Sequence, residues 1–302
     1  MTTYNGAKCL REQLDSLYSQ TLIPDEIVVV DDCSTDNTTK ILEEYLQKHG
    51  LIYYINESNL GVNKNFEKAI GLCTGDYVAL CDQDDVWLPH KIETSYKKIK
   101  TIENNEPALV SSRNISVDEN LKIISTPKAD DDSFDYSKTL LGHFSQGCTL
   151  MMNRKLIKNI IPIPEDKVMF FDMYIGLVAA MIGNKYIISE PLMLYRSHSN
   201  NVLANDVNMN KSILKRFYTK YNNKYPGLLP NERFLLMEYV KNKHYHQFIN
   251  DRIPLFNRLL SLNKNINLLK AIKTIYVINE IPWEKKISLI INRLISILCN
   301  LR

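Results

Sequence analysis

Two carboxylate clusters interrupt apolar stretches of this 302-residue sequence. Asp31 and Asp32 follow Ile27-Val28-Val29-Val30, and Asp82-Gln83-Asp84-Asp85 follows Tyr77 to Cys81. Three carboxylates within four residues repel one another unless a cation or hydrogen-bond donors offset them. Hard oxygen ligands clustered on a turn suit Mg2+ or Mn2+, and a cation held there would in turn bind a diphosphate. Taken alone, the same residues equally describe a solvated acidic turn that caps the helix after Pro89. The cysteines (Cys9, Cys33, Cys73, Cys81, Cys148 and Cys299) form no C-x-x-C pair, and four adjoin apolar stretches. They read as buried thiols of a reducing cytoplasm, not as zinc ligands. His244 and His246 lack acidic or cysteine partners at ligand spacing and receive no role.

The elements that must carry these clusters can be read from periodicity. Leu10, Leu14, Leu17 and Tyr18 mark a helical face, and Ile27–Val30 is a short β-branched strand. Ser34 or Asp36 can cap a helix through Ile41, Leu42, Tyr45 and Leu46. A strand over Leu51–Ile55, a helix over Val62–Leu72 and a strand over Tyr77–Leu80 follow. Strands separated by single helices indicate βαβ units and a mostly parallel, doubly wound sheet. In such sheets ligands bind beyond the carboxyl ends of the strands, where both acidic clusters fall. Farther on, Leu109-Val110, Ile115–Val117 and Gly147–Met152 read as strands and Asp118-Glu119-Asn120 as a turn. Residues 126–137 read as a mobile loop, Asp172–Ile182 as a helix and Pro191–Arg196 as an extended segment. Beyond residue 210 the texture changes to helices rich in Lys, Asn, Ile and Leu, punctuated by prolines, so a boundary is expected at 205–212.

The composition, 45% hydrophobic and 24% charged, excludes a disordered chain and a small disulfide scaffold. The net charge of +3 conceals a split. Residues 1–210 carry 20 Lys and Arg against 29 Asp and Glu, whereas residues 211–302 carry 17 against 5. An acidic body suits metal chemistry, and a basic tail suits phosphates or an anionic surface. Met1 leads directly into a polar turn, so no signal peptide is expected, and no uncharged apolar run reaches the ~18 residues of a membrane span. No G-x-G-x-x-G follows a strand, which disfavours a dinucleotide-dependent oxidoreductase.

The clusters stand in a series of segments. Met1-Thr2-Thr3-Tyr4-Asn5-Gly6, Val30 to Asp36, Asn59-Leu60-Gly61-Val62-Asn63-Lys64-Asn65 and Asp82 to Trp87 occur in the order typical of glycosyltransferase family 2, which the chain resembles. Gly147-Cys148-Thr149-Leu150, Phe171-Asp172 and Tyr195-Arg196-Ser197-His198 resemble its rhamnosyltransferase-like branch, which makes bacterial surface polysaccharides. The resemblance covers about residues 1–205. It implies a glycosyltransferase A-type α/β fold, with a Rossmann-like sheet flanked by helices in residues 1–210 and a basic helical appendage in residues 211–302.

It further implies an inverting, metal-dependent transferase that moves a sugar from a nucleotide diphosphate to a glycan acceptor on a lipid carrier. Thr2 and Asp32 would contact the base, with Tyr4, Asn59 and Lys64 near the nucleotide; a helix cap is the alternative for Asp32. Asp82 and Asp84 match the family's D-x-D, the second Asp being the metal ligand and Asp82 serving donor and metal. Asp85 would orient the sugar or cap the following helix, and Trp87 reads as a packing residue. Asp172 matches the general base, with Glu165 and Asp166 as runners-up. An apolar flank would raise its pKa and a helix N-terminus would lower it. Arg196 would pair with phosphate, and His198 would do the same or ligate the Mg2+ or Mn2+.

One departure stands out: the family's hydrophobic first strand normally precedes the Thr-Tyr-Asn segment, and here Met1 stands where it should end. The first strand is therefore expected to be missing, through a misassigned start or a truncation, leaving inner edges unpaired. In the tail, Ile287, Ile291, Leu294 and Leu298 line one helical face, with Lys285, Lys286 and Arg293 among the remaining positions. That segment suits an anionic inner leaflet, and packing on the body is the alternative. The expectation is a cytoplasmic protein peripheral at the inner face of the plasma membrane, without a nucleic-acid partner. A catalytically silent scaffold of a polysaccharide assembly complex is the competing function.

Overall fold

The apolar run that ends at Asp31 forms β2 (Val28–Asp31), the middle strand of a three-stranded parallel sheet in the computed structural model. The structure describes residues 1–127, 136–140, 144–164, 170–197 and 230–264. β1 (Thr2–Thr3) and β3 (Ile52–Ile55) flank β2, with Thr2 opposite Val30 and Val28 opposite Ile52. All four β2 residues are buried, as a strand covered on both faces requires. Leu10, Leu14 and Leu17 of α1 (Leu10–Tyr18) share a core cluster with Val29 and with Ile41, Leu42 and Tyr45 of α2 (Thr38–His49). Gly50 ends α2 in the left-handed region, φ +71°, and its N–H donates to Leu46 O. Of the two expected caps, Asp36 accepts from Thr38 N at 2.9 Å, whereas Ser34 turns back to Asp31. α3 (Val62–Leu72) lies against β2, where Asn65 Nδ2 donates to Val30 O at 3.0 Å.

The remaining strands form a second, mixed sheet in the order β4-β8-β6-β9-β5. These are β4 (Tyr77–Ala79), β5 (Val86–Trp87), β6 (Ala108–Val117), β8 (Leu150–Asn153) and β9 (Asn184–Arg196), while β7 (Ile123–Ser125) pairs only with β6. β6 and β9 run parallel; β8 is antiparallel to β4 and β6, and β5 to β9. The two short strands expected at 109–117 are one strand, because register shifts at Ser112–Arg113 and Arg113–Ile115 let β6 bend without breaking its pairing with β9. Gly147–Thr149 is a 3-10 turn, so β8 starts only at Leu150. α4 (Lys91–Ile102), α5 (Tyr136–Leu140), α6 (Arg154–Ile160) and α7 (Phe171–Ile182) accompany this sheet. The loop expected at 126–137 falls largely outside the described residues.

The first strand is not wholly missing. Main-chain groups of Met1–Thr3 find partners along β2: Met1 N reaches Val28 O at 2.8 Å, Val30 N reaches Met1 O at 3.1 Å and Asp32 N reaches Thr3 O at 2.8 Å. On the other side Thr2 N donates to Cys81 O at 3.4 Å, and no ladder joins β1 to β4. Side chains from both sheets share one core, with Leu14, Val29, Trp87 and Val110 in the same cluster.

The helix α8 (Pro230–His244) packs on α7, and α9 (Ile253–Lys264) packs on α8 and α5. Phe234, Met237, Val240 and Phe256 join Tyr174, Ile175 and Val178 in a second apolar cluster. Lys243 Nζ donates to Tyr174 OH at 2.9 Å, and Arg252 NH1 caps the C-terminal carbonyls of α7 through Ala180 O and Gly183 O, both at 2.7 Å. The boundary at 205–212 and the apolar face over Ile287–Leu298 lie outside the described residues. Among the described residues no helix is long and apolar enough to cross a membrane.

Candidate active site

The carboxyl ends of β1, β2 and β4 and the start of α7 open onto one cavity of about 750 Å³, a volume suited to a nucleotide-sized ligand. Thr2, Tyr4, Asp32 and Asn59 line it from the parallel sheet. Asp82, Asp84, Asp172 and Arg196 line it from the mixed sheet. Lys64 is not among the lining residues; its ammonium lies 3.5 Å from Glu67 on the next turn of α3. His198, Glu165 and Asp166 lie outside the described residues.

Asp32 is buried and its carboxylate holds the loop before α3. It accepts from Leu60 N at 2.8 Å, Gly61 N at 2.9 Å and Asn56 Nδ2 at 2.8 Å. Asp32 thus anchors this loop from the cavity wall. Its neighbour Asp31 is turned the other way, taking hydrogen bonds from Thr3 Oγ1 and Ser34 Oγ.

In the second acidic cluster, ligand atoms of Asp82, Asp85 and Cys148 lie within 4.8 Å of one another. Asp85 is fully buried; its Oδ1 accepts from Arg196 N at 3.1 Å, and its Oδ2 is buried without a hydrogen-bond partner. Burial, with the like charges of Asp84 and Asp172, pushes the Asp82 carboxyl up to about 7. Burial and the charges of Asp82 and Asp84 push Asp85 well above the carboxylate range. Crowded carboxyls and an orphaned acceptor fit a divalent cation that supplies the missing charge. The nearest grouping differs from the expected set: it contains Asp82 but brings in Asp85 and Cys148 in place of Asp84. Lys91 is buried behind the cluster, 4.7 Å from the Trp87 ring centroid, and desolvation lowers it to about 8. Trp87 is itself a buried packing residue.

Asp172 lies in the first turn of α7. Its Oδ1 accepts from Met173 N at 2.8 Å and its Oδ2 from Gly147 N at 3.1 Å. These donors favour the ionised form, yet burial outweighs them and raises the carboxyl to about 6. Of the two opposed effects expected at this position, the apolar surroundings win. Phe171 stacks on Phe66 with ring centroids 4.1 Å apart, closing that flank.

Arg196 lines the cavity with its guanidinium already engaged. Nε donates to Asp84 O at 2.8 Å, NH1 to Glu119 O, and NH2 pairs with Glu12 on α1. In this structure the guanidinium braces the backbone of the acidic turn from the cavity wall, where phosphate pairing was expected of it. Sequence reading also passed over Gln83, the filler of the D-x-D. Its Oε1 accepts from Tyr4 N and its Nε2 donates to Tyr4 O. Cys148, expected as a buried thiol within the Gly147–Leu150 segment, is buried, and nothing in its spacing marks it as a neighbour of Asp82.

A parallel half, a mixed half and an acidic turn at their junction define a glycosyltransferase A-type fold. The family model "Glycosyl transferase family 2" matches residues 1–161, and the chain belongs to that family. It is 29% identical over 256 residues to the dTDP-rhamnosyl transferase RfbG of Shigella flexneri, covering 78% of this chain and 86% of that protein. Uncharacterized mycobacterial relatives are 28% identical over 213 residues, and the matched region spans only 58% of their length. Among solved structures, Staphylococcus aureus TarS 1–349 in complex with UDP-GlcNAc superposes with a TM-score of 0.62 at 18% identity, covering 98% of this chain and 79% of that one. The mannosyltransferase PcManGT of Pyrobaculum calidifontis, in complex with GDP-Man and Mn2+, gives 0.52 at 15% identity, covering 100% and 86%.

Proposed function

We propose that this chain transfers a sugar, with inversion, from a nucleotide diphosphate to a hydroxyl of a glycan acceptor. The observation that carries this reading is that Asp172, Asp82 and Asp84 line one cavity, with burial raising the Asp172 carboxyl to about 6. Asp172 takes the proton of the acceptor hydroxyl while that oxygen attacks the anomeric carbon. The bond from that carbon to the diphosphate breaks on the opposite face. A base titrating near the working pH combines an ionised population with useful proton affinity. Asp82, Asp84 and Asp85, with Cys148 beside them, would hold Mg2+ or Mn2+, and such a cation neutralises charge on a departing diphosphate. The Mn2+ and GDP-Man in PcManGT support that assignment.

RfbG makes dTDP-rhamnose the first donor to test, and UDP-GlcNAc the second, after the TarS complex. The basic residues 211–302 suit an acceptor presented on a lipid at an anionic inner leaflet, in cell-surface polysaccharide synthesis. The deciding experiment incubates the protein with each nucleotide-sugar and Mn2+ and follows nucleotide release and transfer, for wild type and Asp84→Ala. Turnover by wild type and its loss in the variant are expected. A wild type that neither binds nor turns over any donor leaves the scaffold function in its place.

A further inference from the structure

Lys185 stands on β9 opposite Leu109 of β6 and is 3% exposed. Its Nζ donates to Thr139 Oγ1 on α5 at 2.7 Å. The same atom lies 3.7 Å from where a Cβ on Gly176 would stand. Gly176 follows Asp172 by four residues on α7, so the ammonium sits about one helical turn, ~5–6 Å of rise, from the residue that bears the carboxylate. A cation buried near the N-terminal turn of a helix meets the positive end of the helix dipole, and a buried charge needs a partner.

The described surroundings supply one. Asp172 is the charged group that acts on Lys185, and Lys185 the cation that acts on Asp172. The other groups facing Asp172 are the Gly147 and Met173 N–H donors, and Asp82, whose negative charge works in the opposite sense to Lys185. Burial lowers Lys185 only to about 8, which leaves it mostly charged at neutral pH.

We propose that Lys185 is a positioning residue for transfer: from its site under α7, its ammonium keeps Asp172 ionised and facing the cavity. This rests on the reading of Asp172 as the base. The test has two readouts. In protein labelled with 13C at aspartate carboxyls, the Asp172 resonance is identified by its loss in Asp172→Asn and titrated. Lys185→Met should move its midpoint measurably up, and Lys185→Arg should return it. Lys185→Gln, which keeps a donor for Thr139 without the charge, gives the same upward movement and serves if the Met variant does not fold. With dTDP-rhamnose and Mn2+, the acid limb of kcat should move with the midpoint while KM for the donor stays constant. An unmoved midpoint in the neutral variants overturns the pairing. A moved midpoint with an unmoved limb overturns Asp172 as base, and with it the part of Lys185 in the reaction.

Discussion

Gln83 and Tyr4 hold each other through two hydrogen bonds, Tyr4 N to Gln83 Oε1 at 2.8 Å and Gln83 Nε2 to Tyr4 O at 3.0 Å. The residue between the two aspartates of the acidic turn thereby sets the position of the strand end that faces it. A Cβ added at Gly6 would stand 2.1 Å from Gln83 Oε1. Gly6→Ala must displace the amide and so acts on the same clamp as Gln83→Ala. Each variant should weaken donor binding about tenfold, the effect of roughly one hydrogen bond. The double variant should be little worse than either, because both remove one interaction. Calorimetric titration of the four proteins measures this, and full additivity would refute the shared clamp.

Asp172→Asn should reduce transfer by at least about 100-fold while leaving donor affinity within about twofold. In wild type, kcat should fall about tenfold per pH unit below pH 6, as Asp172 takes up its proton. The stability effect has the opposite sense to that of a paired carboxylate. Its folded pKa is raised from 3.8 to about 6, so ionisation opposes folding, and stability declines as pH rises through that window. In a Lys185→Gln background, where no buried ammonium loses its partner, thermal unfolding at pH 8 should show Asp172→Asn no less stable than its parent.

Asp32→Ala would leave Leu60 N without its acceptor, Gly61 N with Asn59 Oδ1 alone and the amide of Asn56 with Asn65 Oδ1 alone. A loss of about 3 kcal/mol in urea unfolding is expected, since these are hydrogen bonds to a charged group. Stability equal to wild type would mean that the carboxylate does not anchor this loop.

Arg196→Lys should fail to replace Arg196. A lysine cannot reach Asp84 O, Glu119 O and Glu12 at once, because it lacks the planar fork that spans them. The expected result is weaker Mn2+ binding by titration calorimetry, together with a lower Tm. Unchanged metal affinity would detach Arg196 from the geometry of the acidic turn.

Much of the architecture was legible because it is locally encoded. Val62–Leu72 follows helical periodicity and occurs with those bounds, and the β-branched run at 27–30 could only be a short buried strand. The mixed order of the second sheet was not legible. β5 is two residues long, and β9 runs for 13 residues through Pro191, so non-local pairing decides both. The site divides in the same way. Asp82, Asp84 and Asp172 stand in recognisable segments, whereas the joining of Arg196 to Glu12 across 184 residues of sequence has no local signature. Lys185 left no such trace: β9 also carries Asn184, Ser189, Glu190 and Arg196, and the meaning of the lysine depends on the helix laid over it.

The missing ladder between β1 and β4 places a seam through the cavity. Thr2, Tyr4 and Asp32 lie on one bank, and Asp82, Gln83 and Asp84 on the other. At the mouth the banks are tied by Thr2 N to Cys81 O and by the Gln83 clamp. A ligand that touches both banks works as a rivet: its binding energy is also energy against their separation, so occupancy of the site and cohesion of the two sheets rise together.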